Sequence, residues 1–411
     1  MERIYFDNSA TTPVDPLVLK EMEPFFTQKF GNASSLHSFG REAYNAMESS
    51  REKIARVMGA RSKEVIFTSG GTESDNLAIQ GVAFANREKG DHIITCGIEH
   101  HAVLNTCEFL ATQGFRVTYL PVDEWGLVST ENLKEAIDRR TVLVSIMYAN
   151  NEIGSIQPIR EIGAIAHENG ALFHTDAVQA ITKMPLDVVK DNIDLMSISA
   201  HKFHGPKGVG ALYLKKGVKI RPIMYGGGHE KGHRSSTENI SGIVGMSKAL
   251  ELAMASMDQS IGSMTTIRDR IIDGVLSVVP RSYLNGHRTL RLCNNAHFRF
   301  DFIEGESLVL QLDLEGIAAS TGSACSTRSL EPSHVLAALG VRREQSYGSL
   351  RISLSRMNRP EEAERLIEVL PGVVSKLREM SPVKSYDTEP VATSETKPKG
   401  KEADQCHTAK E

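Results

Sequence analysis

The sequence predicts an α/β protein: a large domain around a mostly parallel central sheet, followed by a smaller α+β domain. Two observations carry this. Between about residues 65 and 215, short runs rich in β-branched residues alternate with helix-like segments, the pattern of strands joined by crossover helices. Most of those runs are nearly continuously apolar, as strands buried on both faces are. The candidate strands are 65–68, 92–96, 142–148, 171–175, 195–199 and 209–214, with helices such as 74–86, 130–139 and 159–169 between them. A helix over 241–257 leads into the second region, which mixes strands (297–302, 350–355) with helices (307–314, 360–377). The expected division is a large domain over 14–255 and a small one over 1–13 and 256–380, with a loop near 320–330. Residues 381–411 are charged and rich in Pro, Ser and Thr, with almost nothing to bury, so a disordered tail is expected there. Cys406 falls in it as an exposed, dispensable thiol.

Composition narrows the function. The 411 residues carry a net charge of −4, which offers no nucleic-acid surface. No apolar run reaches the roughly 18 residues of a membrane span. The opening MERIYFDNSATTP puts acidic and polar residues where a signal peptide carries an apolar stretch. A cytoplasmic protein is expected. The cysteines at 96, 107, 293, 325 and 406 are odd in number, irregularly spaced and contain no CxxC pair, so thiols in a reducing compartment fit better than a disulfide framework or zinc ribbon.

In open parallel sheets, ligands sit at the carboxyl ends of the strands. Four segments put unusual residues there. Strand 65–68 runs into Ser69-Gly-Gly71-Thr72 and a helix start, where glycines admit close backbone approach and free amides favour a phosphate. Thr72 with Asp75 resembles a capping box, and an ordinary capped loop is the plain alternative. Asp176 ends a buried strand, either as a helix N-cap or as the partner of a cofactor's ring nitrogen. Lys202 follows the strand ending at Ser199 and precedes Phe-His-Gly-Pro. Burial would lower its pKa, as a Schiff-base lysine requires. Taken alone, it reads as a solvated charge. His100 follows the strand ending at Cys96 and suits stacking on an aromatic ring or relaying protons in catalysis, with a structural role as the plain alternative. The string His229-Glu-Lys-Gly-His233 spells HExxH, a zinc-hydrolase motif that works only on a helix. Three glycines precede it and one lies inside it, which favours a loop.

These segments together resemble the cysteine desulfurases of the NifS/IscS subgroup, within the aspartate-aminotransferase-like fold type I enzymes that use pyridoxal 5'-phosphate (PLP). The matching strings include SGGTESDN (69–76), EHHAV (99–103), NNEIG (150–154), HTDAVQA (174–180), SAHKFHGPKGVG (199–210), STGSACS (320–326) and LEPSHVL (330–336), and the likeness runs from about residue 3 to 380. The resemblance implies roles for matching positions. Lys202 is similar to the lysine that holds PLP as a Schiff base, Asp176 to the pyridinium partner, and Gln179 to the residue bonded to the ring hydroxyl. His100 resembles the ring-stacking histidine. Gly71, Thr72, Ser199 and His201 resemble the phosphate cradle, and Thr237 a residue reaching the phosphate of a neighbouring subunit, which implies a homodimer. Asn151 resembles a residue contacting cofactor and substrate, and Arg351 the arginine that grips the substrate carboxylate through two parallel hydrogen bonds.

Cys325 decides the reaction the resemblance implies. It lies in a run of small polar residues that favours an accessible thiol. It is expected to take sulfur from L-cysteine as a persulfide, leaving alanine, and to pass it to an iron–sulfur scaffold or another acceptor protein. The same resemblance makes Cys325 the candidate ligand of an iron–sulfur cluster shared with a scaffold. Ala33, His233, Ser236, Arg328 and the tail depart from the usual pattern and bear on partner choice more than chemistry. The rival readings are a related PLP enzyme such as an aminotransferase or selenocysteine lyase, a non-enzymatic protein of the same fold, and a zinc hydrolase.

Overall fold

The computed structural model describes residues 3–322 and 333–386. Its strands are β1 (Ile4–Tyr5), β2 (Val65–Thr68), β3 (His92–Cys96), β4 (Arg116–Leu120), β5 (Thr141–Ser145), β6 (Leu172–Asp176), β7 (Leu195–Ser199), β8 (Gly210–Leu214), β9 (Ser282–Asn285), β10 (Asn295–Phe300), β11 (Ile317–Ala318) and β12 (Ser349–Ser353). Its helices are α1 (Pro16–Met22), α2 (Pro24–Thr27), α3 (Ser38–Met58), α4 (Gly71–Ala85), α5 (His101–Thr112), α6 (Thr130–Ala136), α7 (Ile159–Glu168), α8 (Ile240–Ala255), α9 (Met257–Val278), α10 (Gly305–Leu314), α11 (His334–Ala338), α12 (Arg343–Ser346) and α13 (Pro360–Met380). Among the described residues, no helix is long and apolar enough to cross a membrane.

The central sheet has the order β2-β8-β7-β6-β5-β3-β4. Every pairing is parallel except those of β8, which runs antiparallel to both β2 and β7. Successive residues divide between the two faces of the sheet. Phe67, Ile94, Val144 and Met196 pack on the side of α3, α7 and α8, while Ile66, Ile93, Leu143 and Leu195 pack on the side of α4 and α5. That two-sided burial explains the unbroken apolar runs. The run predicted over 142–148 keeps bonding past Ser145: the Ile146 and Tyr148 amides donate to the carbonyls of His174 and Asp176. Strand β4 was not among the predicted strands. It is an edge strand with four of its five residues exposed or half-buried, so its pattern is not apolar throughout.

A second core gathers Ile271, Ile272, Phe298, Phe300, Leu350 and Leu366 with Ile4 and Phe6 from the N-terminal segment. Its sheet is β12-β10-β9, antiparallel, and β1 pairs in parallel with β11. Ser381–Tyr386 continue past α13 on this body. The Tyr386 ring lies 4.7 Å from that of Phe302, and its hydroxyl accepts the Phe302 amide. The expected tail therefore differs at its start: an aromatic ring finds a partner there. Residues 387–411, with Cys406, lie outside the described residues.

Candidate active site

The carboxyl ends of β2, β3, β5, β6 and β7 open onto one cavity of about 360 Å³. Strands β6 and β7 are parallel neighbours, so Asp176, which ends β6, faces Lys202, which ends the 3₁₀ turn Ala200–Lys202 directly after β7. One Asp176 oxygen accepts the Val178 amide at 2.8 Å. Burial raises its pKa to about 6, against that hydrogen bond and the charge of Lys202. The Lys202 ammonium donates to the carbonyls of Ser9 (2.6 Å) and Ala10 (2.8 Å), and Gln179 Nε2 donates to Ser9 at 3.0 Å. The N-terminal segment thus supplies acceptors to two site residues.

The glycine pair builds the opposite end. Gly70 holds φ +156° and α4 begins at Gly71, where a Cβ would meet Val178 Cγ2 at 2.8 Å. Thr72, Ser199 and His201 line the same end. The predicted capping box does not form. Thr72 is the second helical residue, and Asp75 is buried inside α4, its Oδ1 without a hydrogen bond among the described residues and 3.7 Å from His174 Nε2. The Glu73 carboxylate accepts the Ser69 amide instead, at 2.8 Å.

His100 is the N-cap of α5. Its Nδ1 accepts the Ala102 amide at 3.1 Å, so the neutral ring presents Nε2–H. Burial, then the charge of Lys202, lowers its pKa to about 4. Arg351 is almost fully buried. It donates to the carbonyls of Asn151 and Gly322, both at 3.1 Å, and to Asp7 Oδ1 at 2.9 Å, while its Nε–H has no partner among the described residues. Asn151 and Arg351 both line the cavity. Thr237 does not; it borders a separate hollow with Phe30 and Asn32. Cys325 lies outside the described residues. Residues 229–232 form a 3₁₀ turn with Glu230 and Lys231 at positive φ, a loop rather than a helical face.

Sequence reasoning passed over Glu99, Glu152 and His334. Glu152 and His334 line the cavity, and Glu99 is buried behind it. Burial pushes Glu99 up to about 8. Its Oε1 accepts the Met147 amide (2.7 Å) and the Cys96 thiol (3.1 Å). All three sit inside strings quoted above, but only their contacts distinguish them from neighbours.

These groups fit PLP. A buried carboxylate suits a pyridinium nitrogen, a lysine the aldehyde, an imidazole the ring face, and the amide-lined, glycine-floored end a phosphate. The comparisons agree. The Aminotransferase class-V family, whose members use PLP, matches residues 4–366. A protein named Cysteine desulfurase IscS from Methanosarcina thermophila is 57% identical over 94% of this chain and 96% of its own length. One of the same name from Clostridium botulinum is 53% identical over 93% and 97%. Among solved structures, a NifS-like protein superposes with a TM-score of 0.86 at 42% identity, covering 91% of this chain and 100% of its own. A structure titled "SspA in complex with cysteine" gives 0.77 at 38%, covering 87% and 100%. The chain belongs to the class-V aminotransferase family and, within it, to the cysteine desulfurases.

Proposed function

We propose that the cavity binds L-cysteine and that its sulfur moves to Cys325, leaving alanine. The observation that carries this is the meeting of Lys202, Asp176 and Arg351 in one cavity. Arg351, with one buried N–H unpartnered, suits the substrate carboxylate. Asn151 supports the same end. Lys202 would hold the cofactor, and its amine would carry the substrate's Cα proton. Bound here, PLP supplies the electron sink for bond breaking at the substrate's carbons. His100 would lie against the ring face, Asp176 and Gln179 would hold the ring's edge, and Gly71, Thr72, Ser199 and His201 would hold the phosphate. The Cys325 thiolate attacks the substrate sulfur. A sulfur–sulfur bond forms, the carbon–sulfur pair goes to Cβ, and proton uptake there completes alanine.

The persulfide passes to an acceptor protein, such as an iron–sulfur scaffold with which Cys325 would share a cluster. Thr237, outside the cavity of its own chain, completes the site of a second copy in a cytoplasmic homodimer. Separate hydrophobic clusters support a division into 14–255 and 1–13 with 256–380, although Val335 and Leu336 of α11 pack into the large-domain core.

The test supplies L-cysteine to the purified holoenzyme. Equal yields of alanine and transferred sulfur are expected, with one sulfur atom added to Cys325 by mass spectrometry. In Cys325→Ser, alanine production stops while the cofactor's absorbance persists. Alanine production unaffected by that change would overturn the reading.

A further inference from the structure

His334 lies at the start of α11, and its ring faces that of His101 across 4.7 Å at the cavity's edge. The function proposed above uses neither. His334 Nε2 bonds the backbone carbonyl of Glu99 at 2.9 Å. A carbonyl only accepts, so Nε2 carries the hydrogen, and in the neutral ring Nδ1 is a bare acceptor. The ring is also anchored. Ser333 caps α11 through its hydroxyl, which accepts the Val335 amide at 3.1 Å and itself donates to Glu152 Oε2 at 2.6 Å.

The other imidazoles of the cavity differ. His100 spends Nδ1 on the Ala102 amide, so taking up a proton there would break the cap of α5. His201 Nδ1 is paired with Thr11 Oγ1 at 3.1 Å. Among the described histidines of the cavity, His334 is the one whose own hydrogen bond fixes a bare ring nitrogen.

We propose that His334 is a catalytic residue: its Nδ1 takes the proton of the substrate thiol as the sulfur leaves Cβ. This rests on the desulfurase reading. The attacking thiolate forms the sulfur–sulfur bond, and the carbon–sulfur electron pair goes to Cβ. The proton on the transferred sulfur, more acidic in a persulfide than in a thiol, moves to Nδ1. The imidazolium then holds the one proton that Cβ needs to become the methyl group of alanine. Atoms and charge balance without any further reagent: a thiolate and a thiol become a persulfide anion and a C–H bond. The groups placed to modulate His334 are His101 from α5, His100 and Glu99 from the segment before it, and Glu152 through Ser333.

His334→Gln tests this, because the glutamine amide can still donate to the Glu99 carbonyl but offers no base. In the holoenzyme, the cofactor's absorbance and its change on adding L-cysteine should match wild type. The rate of alanine formation should fall about 10²-fold, and the acid limb of its pH profile should vanish. Alanine formation within twofold of wild type, with an unchanged profile, overturns the assignment. A His334→Gln protein that loses the cofactor marks the residue as structural and overturns it too. A second measurement needs no variant: nitrogen-15 shifts of His334 in the wild-type holoenzyme should report a bare Nδ1, and a protonated Nδ1 with a bare Nε2 sinks the idea. Wild-type enzyme that makes no alanine would instead defeat the desulfurase reading itself.

Discussion

Asp176, Glu99 and Asp75 are buried carboxyl groups, and each is pushed upward in pKa chiefly by loss of solvation. Such groups ionise only where a cation repays the cost. Asp176 has that prospect, because it faces the cavity that suits a pyridinium. Asp176→Asn should therefore cut alanine formation by about 10²–10³-fold, and kinetics on the cofactor-loaded variant would show it. Glu99 faces no cation among the described residues. Its folded pKa of about 8 lies above the ordinary 4.5, so between those values the folded state binds more protons than the unfolded one. Stability must then fall as pH rises through that window. Thermal unfolding of the wild type should lose stability between about pH 4.5 and 8 relative to Glu99→Gln. Parallel pH dependences for the two proteins would refute the assignment. Lys202 and Asp176 stood out in the sequence as charges following apolar strands, but each alone also reads as a solvated charge or a cap, and only the resemblance of the combined strings gave them roles. Glu99 did not stand out, because nothing in the string EHHAV tells a buried carboxyl from an exposed one.

At the scale of elements, the 3₁₀ turn His229–Gly232 shows how far pattern reasoning reaches. Its glycines foretold a loop, and Glu230 and Lys231 take φ of +46° and +58°. What holds the turn was invisible in the sequence. The Glu230 carboxylate forms two hydrogen bonds to Arg51 of α3, at 2.7 and 2.9 Å, and accepts the Phe67 amide of β2 at 3.0 Å. Both side chains are nearly fully buried. Removing Glu230 leaves Arg51 with the Val65 carbonyl and the part-exposed Glu48, whose Oε1 accepts from Nε at 2.8 Å, so much of its charge goes uncompensated away from water. Glu230→Ala should cost about 3–5 kcal/mol, read as a lower denaturant midpoint at unchanged slope. A change under about 1 kcal/mol would mean that Glu48, 2.8 Å from Arg51 Nε, holds the guanidinium without Glu230. Edge strand β4 was missed for a related reason, since its pairing with β3 and not an apolar pattern makes it a strand, whereas helix α3 does carry a local signal, its buried Ala43, Met47, Ile54 and Met58 recurring at helical spacing.

At the scale of the whole molecule, residues 4–15 tie the two cores to the site. Ile4 and Phe6 are buried in the second core. Asp7 pairs with Arg351, Ser9 and Ala10 receive Lys202, and Asp15 pairs with Arg356 at 2.6 Å. A defect in how this segment seats should reach the cofactor, while an equal loss of core packing elsewhere should not. Phe6 and Ile272 give the comparison, since both are fully buried in the same core. Phe6→Ala should cost about 3–5 kcal/mol and Ile272→Ala about 2–5 kcal/mol. Only Phe6→Ala should also speed loss of the cofactor on dialysis, because the carbonyls that receive Lys202 lie three and four residues further along the same segment. Equal cofactor retention in the two variants would mean that the segment is held at the site by its polar contacts, such as Asp7 to Arg351 and Thr12 to the His201 carbonyl, with its apolar anchor serving stability and nothing else.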